Sequence, residues 1–221
     1  MFGYTFQWGQ AVKWLPQMLE GAWVTMEIAI LSMLIGIAVA ILFTSFRQTK
    51  SRILNGIVTT WVEIARNTPA LFQIYMAHFG IASFGIHFSP FVSLLIGITF
   101  NNVGYLTENF RGAMKAIPDT QTRAARSLGL SAPQAFAFVV MPQMLRIAFL
   151  PASNQMVWAI LMTSLGVTVG MNSDLYGVTQ DLNSVTFRTF ELFAIAAVIF
   201  YVITKTIQIG ARLLAARLFR Y

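Results

Sequence analysis

No cysteine occurs among the 221 residues, so neither a disulfide framework nor a thiolate-ligated metal centre can form. Histidine is nearly as rare. His78 and His87 stand apart among apolar and small residues, which suits packing or an interface better than metal binding. Charge is scarce too: 10% of residues are charged against about 25% in an ordinary soluble domain. The Gly-x-x-x-x-Gly-Lys-Ser/Thr phosphate loop is absent, so ATP hydrolysis would have to come from a partner. The few carboxylates are scattered and form no Ser/His/Asp grouping, which gives no support to an enzyme. The first residues lack a basic segment followed by a short apolar core and a cleavage site, so no cleavable signal peptide is expected.

What is present is apolar. With 57% hydrophobic residues, most of the surface faces something other than water, and the chain reads as an all-α integral membrane protein. The net charge of +7 does not point to nucleic acid, because Lys and Arg cluster in short segments between apolar runs. A helix crossing the hydrocarbon core needs about 20 largely apolar residues. Five stretches meet or approach that length. They are Ala22 to Phe46, with Glu27 near its start; Ile53 to Ile81, interrupted by Glu63, Arg66, Asn67 and Pro69; about Phe88 to Phe110; about Leu145 to Gly170; and about Phe190 to Ile209. The second is expected to begin as an interfacial helix and to bend or restart at Pro69.

The basic residues set the orientation. Arg47, Lys50 and Arg52 follow the first span, Arg111, Lys115, Arg123, Arg126 and Arg146 fill or flank the loop after the third, and Arg212, Arg217 and Arg220 follow the fifth. By the positive-inside rule these segments are cytoplasmic. Residues 83–89 carry no Lys or Arg, and 171–187 carry only Asp174 and Asp181, so both belong outside. Trp8, Trp14 and Trp23 suit an outer aromatic belt, with the N-terminus as a surface-lying helix outside and the C-terminus in the cytoplasm. No internal repeat or heptad run is visible, and one membrane domain accounts for residues 1–221.

Residues 122–142, TRAARSLGLSAPQAFAFVVMP, are a polar, basic interruption between apolar stretches. Helix formers run from Thr122 to Leu128 after a turn at Pro118 and Asp119, and Gly129 can adopt the left-handed conformation that ends a helix. Ser131, Ala132 and Pro133 suit the start of a second helix. Ala124 and Ala125 leave a surface that another protein can approach closely. Inside the spans, Asn101, Tyr105 and Glu108 share one helical face, with Asn102 and Asn109 on an adjacent stripe; Asn154, Gln155, Thr163 and Ser164 add polar groups on the fourth span. Such groups line a solute path or hold helices together by hydrogen bonds, and for Glu108 a charge pair with Arg111 or Arg66 is favoured. Lys205 is placed to snorkel to the inner interface.

The paired alanines, Gly129, and then Val139, Met141 and Pro142 at fixed intervals resemble the cytoplasmic docking loop of bacterial ABC-importer permeases. Arg66, Asn67, Thr68, Pro69, Leu71 and Gln73 resemble the RGTP-L-Q signature of the polar amino-acid uptake permeases. Tyr105, Glu108, Arg111 and Gly112 match its Y-x-x-E-x-x-R-G stretch, Leu150, Pro151, Asn154 and Gln155 its LP-x-x-NQ, and Thr163, Ser164 and Leu165 its TSL. The resemblance implies the type I ABC importer permease fold: five transmembrane helices with a coupling-helix loop at about residues 111–146. Its implied partners are a second permease subunit, identical or paralogous, a cytoplasmic ABC ATPase dimer holding ATP and Mg, and an extracytoplasmic solute-binding protein. The chain itself would bind no cofactor, would lie in the bacterial inner membrane and would pass a polar amino acid. Arg123, Ala124, Ala125, Ser127, Leu128, Gly129 and Ala132 are the implied ATPase-docking residues, and Asn102, Tyr105, Met162 and Ser164 the implied path. Two departures stand out: Arg123 replaces the Glu that opens the family triplet, and Leu161 and Met162 replace the Lys-Asp that often precedes TSL. An ion-coupled secondary transporter is the rival, but its usual sign of broken helices in both halves appears once, near Pro69. A non-transporting scaffold is a further rival.

Overall fold

In the computed structural model the described residues are 5–49 and 51–219; Lys50 and Arg220, used above for orientation, lie outside them. Every regular element among the described residues is helical. A short α1 (Trp8–Ala11) and a 3₁₀ turn (Val12–Trp14) lead straight into α2 (Leu15–Phe46). The separate surface-lying N-terminal helix expected from the tryptophans is therefore not a separate element, and the first long helix starts well before Ala22. Pro16 explains the continuity, since proline in the first turn needs no N–H and already has helical φ.

The second apolar stretch breaks where proline dictates. Ser51 caps α3 (Arg52–Asn67) by accepting from the Leu54 N–H at 3.3 Å. Thr68, forced out of the helical region by the following proline, is extended at φ −117°, ψ 146°, and the chain restarts as α4 (Ala70–Tyr75) and a π-helical turn over Met76–Gly80. Ser89 caps α5 (Pro90–Lys115), which lies against α2, α3 and α4. Two glycines permit this crowding. A Cβ on Gly97 would sit 2.6 Å from Ile74 Cγ1, and one on Gly104 would sit 2.4 Å from Ala65 Cβ, so α3 and α4 can seat on α5 only where it has no side chain.

The loop after α5 holds α6 (Asp119–Ser127) and α7 (Ala132–Ala135), and a π-helical turn over Phe136–Val140 joins α7 to α8 (Met141–Met162). The fourth long helix thus begins at Ala132 and not near Leu145, which leaves a shorter loop. Pro142 does not stop it, because it stands in the first turn of α8. A 3₁₀ segment, Thr163–Val169, ends at Gly170 with φ +81°. The segment between the last two long helices folds into α9 (Leu175–Thr186), which apolar periodicity did not announce, and α10 (Thr189–Leu218) completes the bundle.

Three helical segments, Trp8–Phe46, Ala132–Val169 and Thr189–Leu218, are long and apolar enough to cross a membrane. The other two expected spans differ for physical reasons. Pro69 divides the second, and α5 carries Asn101, Asn102, Thr107 and Glu108, which a helix enclosed by protein can hold without meeting lipid. The main apolar core joins Ile28, Met33 and Ala40 of α2 to Leu94, Ile98, Leu106 and Phe110 of α5 and Met144, Ala148 and Ile160 of α8. A second cluster at the other end packs Ala11, Met18 and Ala22 against Leu175, Leu182 and Leu192.

Asp174 caps α9 from a fully buried position, accepting from the N–H groups of Tyr176 and Gly177, each at 3.2 Å. Burial pushes its pKa from 3.8 up to about 6, against the opposing pull of those two N–H groups. An acid that binds its proton more tightly folded than unfolded favours the fold below its ordinary pKa and withdraws that support as pH rises through the folded value. Thermal stability should therefore fall between pH 3.8 and about 6. Asp174→Asn, which keeps an acceptor without the charge, should flatten that slope in scanning fluorimetry. On packing, Gly104→Ala should lower stability by about 1–3 kcal/mol through overpacking against Ala65, while Gly112→Ala, with nothing within 4 Å of its Cβ, should leave the unfolding midpoint unchanged.

Candidate translocation pocket and docking loop

Local backbone chemistry makes the loop between α5 and α8 rigid. Pro118 occupies the N-cap of α6 without a side-chain bond, so Asp119 is the first helical residue and favours the helix through its charge. At the other end Gly129 has φ +90°, its N–H donates to the Arg126 carbonyl at 3.1 Å, and the Leu130 N–H reaches the Ala125 carbonyl at 3.3 Å. This pair of bonds is the Schellman closure, which the left-handed glycine permits. Arg126 adds a bond from its guanidinium to the Leu130 carbonyl at 2.7 Å. Ser131 and Gln134 then form a reciprocal capping box on α7. Gln143 of α8 donates to Gln121 of α6 at 2.7 Å, which fastens α6 to the helix that follows.

The docking residues inferred from sequence divide by exposure. Arg123, Ala124, Ser127, Leu128, Gly129 and Ala132 are exposed, with Leu128 at 82%, whereas Ala125 is 4% exposed and packs inward. The exposed set is a small-residue surface with one apolar knob. Arg146, at the start of the next helix, donates to the Phe219 carbonyl at 3.1 Å and tethers the end of α10.

Higher in the bundle, a pocket of about 460 Å³ is lined by Thr68, Pro69, Ala70, Asn101, Tyr105, Gln155, Trp158 and Met162. Of the path residues inferred from sequence, Tyr105 and Met162 lie on its wall; Asn102 and Ser164 do not. Asn102 is fully buried behind the wall, where its amide donates to Ser32 Oγ at 3.1 Å and its carbonyl accepts from Gln155 Nε2 at 2.9 Å. Ser164 lies in the 3₁₀ segment and bonds to the Leu161 carbonyl at 2.7 Å. The wall position belongs to Asn101, which donates to the Ala65 carbonyl at 3.3 Å and to Gln73 Oε1 at 3.1 Å. Gln73 reaches back across the proline break to the carbonyls of Ala65 and Thr68 at 2.9 and 3.1 Å. Thr68 to Ala70 and Trp158 had no signal as wall residues in the linear pattern beyond the break at Pro69 itself.

Below the pocket one carboxylate gathers three guanidiniums. Glu108 is bonded by Arg111 through both oxygens, with Arg66 at 3.7 Å and Arg47 at 4.0 Å. The Arg66 guanidinium also stands 5.7 Å over the Tyr105 ring. Glu108 thus joins the ends of α2, α3 and α5 and adds no free negative charge to the pocket. His78 packs on Phe79 and bonds Ser93 Oγ through Nδ1 at 2.9 Å, and no group of three or more His, Cys, Asp or Glu able to hold a metal is found among the described residues.

The family model described as "Binding-protein-dependent transport system inner membrane component" matches residues 32–220. The chain belongs to that family. Among these inner-membrane components it is 28% identical, over 96% of its length and 98% of the relative's, to the glutamine transport system permease protein GlnP of Escherichia coli K12. It is also 28% identical to the nopaline transport system permease protein NocM of Agrobacterium fabrum, over 87% and 84% of the two chains. A chain from the crystal structure of an amino acid ABC transporter with histidines superposes with a TM-score of 0.88 at 25% identity, covering 97% of this chain and all of that one. The MetNI methionine ABC transporter in an inward-facing conformation shares the fold at a TM-score of 0.75 and 17% identity.

Asn102→Leu removes both of its side-chain bonds and strands the Gln155 amide in the bundle, so it should cost about 2–4 kcal/mol of stability in denaturant or thermal unfolding. Tyr105→Phe should leave the unfolding midpoint unchanged, because the Tyr105 side chain is 37% exposed and meets the pocket rather than the network.

Proposed function

We propose that the chain is a permease subunit of an ATP-driven importer that moves a polar amino acid or a related small solute across the inner membrane by alternating access. Family membership and amino-acid permease relatives support the transport role. The mechanical reading rests on one observation: the docking loop and the pocket are parts of the same helical rod. From Ala132 the chain stays helical to Val169, and that rod carries Gln155, Trp158 and Met162 of the pocket wall. At about 1.5 Å per residue, Gln155 stands roughly 35 Å from the loop along one continuous helix, interrupted in its hydrogen bonding at Pro151, so a shift of the loop is carried along that helix to the wall. The Gln121 to Gln143 bond makes α6 move with the rod.

In this reading a cytoplasmic ATPase pair grips the Leu128 knob and the small surface around it. ATP and Mg stay on the ATPases, and the chain needs no cofactor of its own. ATP-driven closure of that pair opens the pocket outward to receive solute from a binding protein, and hydrolysis returns it inward. A second permease subunit, identical or paralogous, supplies the facing wall. Five passes, with α3 lying at the inner interface, α4 and α5 as the second and third, the N-terminus outside and the C-terminus in the cytoplasm, fit the basic segments. The wall presents amide, hydroxyl and aromatic groups, which replace the hydration of a polar solute.

Two substitutions separate coupling from passage. Gly129→Val forces a β-branched residue to φ +90°, so it should release the Schellman closure and abolish ATPase co-purification while the helices remain inserted. Met162→Trp, which fills the pocket from its wall, should reduce uptake into proteoliposomes at least tenfold with ATPase binding intact. Full uptake by both variants would sink the assignment of loop and pocket.

A further inference from the structure

Outside the pocket and the docking loop, one polar hollow has no assigned role. Between α8 and α10, Leu150, Ser153, Asn154, Gln208 and Arg212 line a recess of about 170 Å³. Among the described residues the side chains of Asn154, Gln208 and Arg212 find no hydrogen-bond or ion-pair partner, and no carboxylate borders the recess. Ser153 spends its hydroxyl proton on the Leu150 carbonyl at 2.7 Å and so borders the recess without donating into it. Convergent donors around one guanidinium, with no acid nearby, are chemistry for an anion.

The surroundings say what carries the anion. Leu150 in the recess wall and Ile209 and Leu213 next to Gln208 and Arg212 are 46%, 55% and 62% exposed, so the polar hollow opens onto an apolar surface. Depth agrees. Arg146 and Phe219 join the inner ends of α8 and α10, and the recess begins one to two helical turns outward from that contact, about 6–10 Å along the helices. An amphiphile with its anionic head in the recess and its chains along Ile209 and Leu213 satisfies both halves of the surface at once.

We propose that Arg212, Gln208 and Asn154 form a site for the phosphate group of an anionic phospholipid from the cytoplasmic leaflet. One ordered lipid would fasten the inner ends of α8 and α10 from outside. α8 carries the pocket wall, so the lipid biases the helix that moves.

The test is native mass spectrometry of the intact transporter released from membranes of mixed phosphatidylglycerol and phosphatidylcholine. Wild type should retain phosphatidylglycerol preferentially, and Arg212→Gln should lower the retained ratio about fivefold, the effect of losing one arginine at a headgroup. Asn154→Leu should lower it too, while Arg217→Gln, on the same helix but outside the recess, should not. Equal losses for Arg212→Gln and Arg217→Gln would overturn the site in favour of diffuse attraction to the surface. A titration with inorganic phosphate in detergent separates the two sources of the anion: a rise in the unfolding midpoint of wild type at millimolar phosphate, without lipid retention, would assign the recess to the free ion and overturn the lipid. If wild type shows no headgroup preference and Asn154→Cys crosslinks to a second permease subunit, the recess is a subunit contact and the proposal fails.

Discussion

The bundle is organised around a buried pair of amides. Asn101 and Asn102, adjacent on α5, point about 100° apart and tie that helix to its neighbours, Asn101 to α3 and α4 and Asn102 to α2 and α8. Helices surrounded by lipid gain little from apolar contact with each other, because the lipid offers the same contact; a donor and acceptor that would otherwise be stranded set register more firmly. Because each amide satisfies two partners, none of the helices can slide by one turn without leaving a polar atom unpaired. Close packing at Gly97 and Gly104 then follows as a consequence of that register, not as its cause.

Pro69 is the second constraint, and the amides manage its cost. A proline frees the carbonyl one turn earlier, here that of Ala65, and Gln73 takes it up from the far side of the break together with the Thr68 carbonyl, with Asn101 sharing Ala65. The repaired break is also a short stretch of irregular backbone, Thr68 and Pro69, at the edge of the pocket. Non-helical backbone at membrane depth persists where protein or water covers it, so the break and the cavity require each other. The Glu108 cluster closes the inner side of the same region by joining the ends of three helices through one carboxylate.

Features that depend on a residue and its immediate neighbours were legible in the sequence. Pro69 breaks its helix, Gly129 turns left-handed and Ser131 caps, because each follows from φ restrictions or short-range hydrogen bonds. Glu108 pairs with Arg111 and Arg66 because three residues of separation, and a plausible meeting at the inner interface, were enough to foresee it. The choice between Asn101 and Asn102 was not legible. Neighbouring residues on a helix differ by about 100°, and only the positions of α3, α4 and α8 decide which amide meets the cavity. Nor could the string show that α7 and α8 form one rod, since Pro142, Gln143 and Arg146 read locally as a loop. Gln143 and Arg146 are in fact spent on Gln121 and Phe219. Ala125, small and next to Ala124, looked equally available to a partner but lies on the inner side of α6.

The π-helical turn at Phe136–Val140 gives that rod a property beyond stiffness. Five-residue closure inserts one extra residue in the winding, which rotates everything that follows by about 100° relative to everything before it. The turn therefore works as a phase adjuster: it fixes which compass direction the loop faces when Gln155, Trp158 and Met162 face the cavity. A uniform α-helix of the same length would set the loop at a different azimuth to the pocket wall. The sequence on either side is then free to diverge, provided the angular offset between the two ends is kept.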